Sequence, residues 1–129
     1  MSLDQTVVDH IRQQETPPYT MPGINSFSAF PGFINEFVKK HKLFTMEQAI
    51  HKMSTAAADN HRLKGLGRIT PGSYADITVF DYDKLRVTGD PIEPRRYPEG
   101  IEYVLVNGVP VVEKGKHTGA TPGRIVRRV

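Results

Sequence analysis

The spacing of apolar residues along the chain changes period once, near Arg68. Before that point it is helical. Phe33, Ile34, Phe37 and Val38 fall at i, i+1, i+4 and i+5, one stripe of a helix. Phe30-Pro31-Gly32 opens this stretch, and a proline suits a first helical turn, where its missing N–H is not needed. The pattern predicts a helix over 31–41, with Lys39, Lys40 and Lys42 at its C-terminal end, where cations complement the helix dipole. Thr45 starts a second helix over 45–54. Gln48 stands three residues later, as a capping box requires, and Met46, Ala49, Ile50 and Met53 supply its apolar face. Residues 55–60 read as a further turn, after which Gly65 and Gly67 break the chain.

Beyond Arg68 the residues are β-branched and aromatic. Strands are predicted near 76–81, 101–107, 109–113 and 123–127. Asn107-Gly108 between valine-rich runs signals a two-residue hairpin, and Pro110 favours an edge position for its second strand. Residues 82–100 carry three prolines and two glycines and read as a surface excursion. At the N-terminus, 5–8 suits a short strand, and 15–23, with Pro17, Pro18 and Pro22, a loop or extended arm.

A chain of 129 residues can form one domain with a modest core. It is too short for a (β/α)8 barrel, which takes about 250 residues. The absence of cysteine excludes disulfides, thiolate metal sites and a cysteine nucleophile, and fits a cytoplasmic protein. No apolar run is long enough to span a membrane, and Met1 to His10 lacks the pattern of a signal peptide. The net charge of +3 is small. The basic residues gathered late, Lys114, Lys116, Arg124, Arg127 and Arg128, have no aromatic residue among them, so a solvated chain end is favoured over a nucleic-acid face.

The candidate chemistry is sparse. His41, His51 and His61 are spaced by ten, but ten helical residues span about 15 Å, too far for one metal ion. His10 and His117 are isolated. Asp76 and Asp81 flank the best strand, about 17 Å apart and on opposite faces, which suits a turn anchor and a strand end rather than an acid–base pair. Gly65-Leu66-Gly67 lacks the Lys-Ser/Thr of a phosphate loop and precedes a strand.

Two longer motifs say more. Gly67-Arg68-Ile69-Thr70-Pro71-Gly72-Ser73-Tyr74-Ala75-Asp76, followed by Ile77-Thr78-Val79-Phe80-Asp81, resembles the segment in which amidohydrolases leave the catalytic barrel for a small β-sandwich. Tyr97-Pro98-Glu99-Gly100, the strand to Asn107-Gly108, then Thr118-Gly119 and Pro122-Gly123-Arg124 are similar to the C-terminal end of the N-acyl-D-amino-acid deacylases, the D-aminoacylase family. The likeness runs from about Phe30 to Val129.

The resemblance implies an α+β piece of an incomplete TIM-barrel enzyme. Residues 1–67 would end the catalytic barrel, with the helix at 31–41 the last of the barrel. Residues 68–129 would give antiparallel strands to a composite β-sandwich, whose other strands and barrel are this chain's missing partners. The parent would be a metal-dependent hydrolase, with zinc, acting on small N-acyl-D-amino acids. The chain alone would hold no metal and be inactive. Of the family's site residues only the last-strand Asp, a metal ligand and proton carrier, has a candidate here. It is Asp9, after Thr6-Val7-Val8 and 21 residues before Phe30. The surrounding Val8-Asp9-His10 departs from the family's Ser-Asp-Gly, and Gly23-Ile24-Asn25 stands near the place of its His-Pro-Arg. Strands without their neighbours leave open edges, so homo-oligomers are expected. A different reading is a stand-alone β-rich interaction module without catalysis.

Overall fold

The computed structural model describes residues 25–90 and 93–127. A helical unit comes first and an antiparallel sheet second, so the fold is α+β. Helix α1 (Asn25–Phe33) contains a break at Ser28, whose φ of −139° and ψ of 20° are not helical. Pro31 therefore lies in the first turn after the break, the position that tolerates a proline. The chain runs on into a π-helical segment, Ile34–Lys40, which closes with the His41 amide donating to the Glu36 carbonyl five residues back, at 2.9 Å. Helix α2 (Met46–Met53) starts with the expected capping box. The Gln48 amide donates to Thr45 Oγ1 at 3.3 Å, and the Thr45 amide to Gln48 Oε1 at 3.0 Å. Helix α3 (Thr55–Asn60) follows directly.

The sheet has the order β1 (Ile77–Phe80), β2 (Ile101–Val106), β3 (Val109–Glu113) and β4 (Lys116–His117), each antiparallel to the next. Asn107 and Gly108 have φ of 50° and 79°, as the hairpin signal requires. Pro110 pairs with Leu105 beside a register shift, which is where a strand accommodates a residue with no N–H to give. The strand expected at 123–127 is absent. The fourth strand is instead Lys116–His117, because Lys114 and Gly115 take left-handed conformations and fold the chain back on β3 at once.

The core is small and belongs to the helical unit. Ile34, Val38, Ala49 and Leu85 form its buried cluster, with Phe33, Phe44, Met46, Met53, Phe80 and Ile101 packed around it. Phe33 stacks on Phe44 at 5.7 Å and tilts against Phe37 at 4.9 Å. Leu85 corrects the expectation that 82–100 is a surface excursion, for it is only 2% exposed, and Pro94 is also buried. The Leu85 amide donates to the Asp81 carbonyl at 2.9 Å, and its own carbonyl accepts from Lys39 Nζ at 2.9 Å. Gly100 allows this close fit. Its φ is +87°, and a Cβ there would lie 2.6 Å from the Leu85 nitrogen.

Candidate functional site

A groove of about 560 Å³ lies between the helical unit and β1, with Ile101 of β2 also in its lining. Phe30, Ile34, Ile50 and Met53 form one wall, and Ile77 and Phe80 the other. The helical spacing of the first four points them to one side, and the register shift between Val79 and Phe80 lets Ile77 and Phe80, three residues apart, both line the groove. Three of the polar residues lining it are already engaged. Thr55 Oγ1 donates to the Gly67 carbonyl at 2.6 Å, Arg68 pairs with Asp59 at 2.5 Å, and Asp76 Oδ1 accepts the Asn107 amide at 2.8 Å. The groove therefore suits apolar side chains rather than a charged ligand. The sequence patterns missed it because its walls come from residues some 40 positions apart, joined only by the fold.

The described histidines and aspartates that the sequence singled out do not come together here. Asp9 and His10 lie outside the described residues. His41 Nε2 stands 3.5 Å from Glu36 Oε2, which also accepts Lys40 Nζ at 2.8 Å. That lysine hydrogen bond is the main reason the Glu36 carboxyl titrates below its ordinary value. His51 and His61 are exposed, and His117 Nδ1 accepts the Gly119 amide at 2.9 Å. Asp76 serves the hairpin, and Asp81 ends its strand as expected. Asp81 accepts the amides of Asp83 and Lys84 and pairs with Lys84 Nζ at 2.9 Å. The Lys84 hydrogen bonds lower its pKa, and the carboxylate in turn raises that of Lys84. Among the described residues no group of three or more His, Cys, Asp or Glu is placed to hold a metal ion. These residues do not fit a zinc site, and no hydrolytic step can be built on them. Nor is any helix among them long and apolar enough to cross a membrane.

Against known proteins, residues 18–112 match the amidohydrolase family. The N-acyl-D-glutamate deacylase of Alcaligenes xylosoxydans xylosoxydans is 33% identical over 98% of this chain and 28% of its own length. The crystal structure of D-aminoacylase, described as defining a novel subset of amidohydrolases, superposes with a TM-score of 0.74 at 33% identity, over 77% of this chain and 21% of that one. An N-acyl-D-glutamate deacylase from Bordetella bronchiseptica, solved with zinc and a phosphonate inhibitor, gives a TM-score of 0.56 at 36% identity, over 57% of this chain and 16% of that one. The chain thus spans about a quarter of the length of the curated relative it matches almost end to end.

Proposed function

The chain belongs to the amidohydrolase family, and from that membership we propose that it is the C-terminal part of a metal-dependent deacylase. The whole enzyme would hydrolyse the amide bond of N-acyl-D-amino acids to a carboxylic acid and a free D-amino acid. Residues 1–67 would close its catalytic barrel, and 68–129 would form half of a β-sandwich completed by strands from the rest of the polypeptide. One observation carries this reading: nearly the whole chain aligns with little more than a quarter of a deacylase. The groove beside β1 supports it. Among the described residues β1 is the last strand on its side of the sheet, and beside an apolar trough a further strand could pair there and bury side chains at once.

In the intact enzyme a bound zinc ion would supply an activated water and polarise the amide carbonyl. We assign Asp9 as the carboxylate ligand and proton carrier there. The described residues would act as support, with α1, the π-helical segment and α2 backing the barrel wall. The purified 129-residue protein, given zinc and N-acetyl-D-amino acids, should show no turnover above buffer. Metal-dependent turnover by this chain alone would overturn the reading. An antibody against residues 100–129 should detect a polypeptide several times 14.5 kDa in the source cell. A band at 14.5 kDa would favour instead the stand-alone interaction module, a reading that rests on the same position of β1 at the end of the sheet among the described residues.

A further inference from the structure

Residues 118–127 have no regular structure, yet they are tied along their length to other parts of the sheet. The Thr118 amide donates to the Val111 carbonyl at 3.0 Å, and Thr118 Oγ1 to the Pro110 carbonyl at 2.8 Å. Asn107 Nδ2 donates to the Pro122 carbonyl at 2.7 Å. The Arg124 guanidinium lies over the Tyr74 ring, 3.3 Å from its centre. Tyr74 and Asn107 are joined in turn through the start of β1. The Gly108 amide donates to the Ala75 carbonyl at 2.9 Å, and the Asn107 amide to Asp76 at 2.8 Å. The contacts form a closed circuit running Tyr74, Asp76, Asn107, Pro122, Arg124 and back to Tyr74.

The loop that this circuit holds forms one rim of the groove. Gly67, Arg68 and Ile69 line the groove, and Ile69 is 85% exposed. The loop is fixed on its helical side by Thr55 and Asp59. On its far side few bonds hold it. The Tyr74 amide donates to the Gly65 carbonyl at 2.8 Å, and the Ser73 amide to the Thr70 carbonyl at 3.0 Å. The Tyr74 ring packs over Gly65, where a Cβ would come within 3.2 Å of it. Arg124 covers that ring.

We propose that residues 118–127 are a strap that clamps the 65–74 loop through Arg124 and Tyr74 and so fixes the rim of the groove. The strap acts on the loop whatever fills the groove, and it does not depend on the deacylase assignment. A guanidinium on an exposed aromatic ring contributes modestly, so release should raise local opening by a small factor rather than unfold the domain.

Hydrogen exchange of the full chain tests this. In Arg124→Ala, the amides of residues 66–74 should exchange about two- to fivefold faster, as loss of an exposed cation–π contact predicts. The amides of α2 should keep their rates. Asn107→Gly keeps the left-handed turn but removes the bond to Pro122, and it should accelerate the same loop. Tyr74→Phe, which retains the ring, should leave it unchanged. Unaltered loop exchange in both Arg124→Ala and Asn107→Gly would overturn the strap, as would equal acceleration throughout the chain.

Discussion

The helical unit and the sheet bury their side chains in different ways. Ile34, Val38, Ala49 and Ala58 in the helical unit are buried, whereas every residue of the four strands is half-buried or exposed. The helical unit closes on a buried cluster completed by Leu85 from the segment after β1, with Phe80 and Ile101 of the sheet packed against it. Among the described residues the sheet is a single layer, and a sheet buries fully only against a second layer. The difference teaches that hydrogen bonding and packing are separable here. β2 has a strand on each side, but the side chains of Tyr103-Val104-Leu105-Val106 are only half-buried. The part of the molecule with a complete ladder has the incomplete core.

This contrast can be broken by mutation. Leu85→Ala should cost the most, about 2–5 kcal/mol, by opening a cavity in the buried cluster with Ile34, Val38 and Ala49. Urea denaturation would show it, and a cost no greater than that of a strand residue would end the contrast. Gly100→Ala should follow, at about 1–3 kcal/mol, because a Cβ would press on the Leu85 backbone in a left-handed conformation. The same titration, with the loss of Leu85 packing read by NMR, checks it. Thr45→Ala should cost about 1 kcal/mol by removing the cap of α2, visible as fraying of its first turn. Val79→Ala, at a position 44% exposed on β1, should change stability by less than about 1 kcal/mol.

The smallest effect is electrostatic. The Asp81 pKa is depressed, so its contribution is present above the unfolded-state value and is lost as pH falls through the lower folded-state value. The Lys84 pKa is raised, so its contribution is present below its ordinary value and is lost as pH rises through the raised one. Asp81→Asn should therefore flatten the acid limb of the stability–pH curve and leave the neutral plateau only slightly lower. Thermal melts from pH 2 to 6 would test this, and an unchanged acid limb would show that the pair contributes nothing.

Local chemistry fixed much of this protein in advance. The capping box at Thr45, the left-handed turn at Asn107-Gly108, the strand at Ile77–Phe80 and the strand-ending role of Asp81 depend on residues near one another, or on a single backbone preference, so they can be read along the chain. The family is legible for a similar reason, since the motif from Gly67 to Asp81 is continuous. What could not be read depends on distant residues meeting. Leu85 sits among polar and turn-forming neighbours, and only its meeting with Ile34, Val38 and Ala49, with Lys39 and Gly100 against its backbone, makes it a core residue. Residues 123–127 look strand-like in their side chains, yet they have no ladder to join, because the turn at Lys114-Gly115 gives the edge of β3 to Lys116–His117. The groove and the Arg124–Tyr74 contact follow the same rule. Sequence sets the local conformations, whereas which apolar surface is covered depends on which segments the tertiary fold brings together.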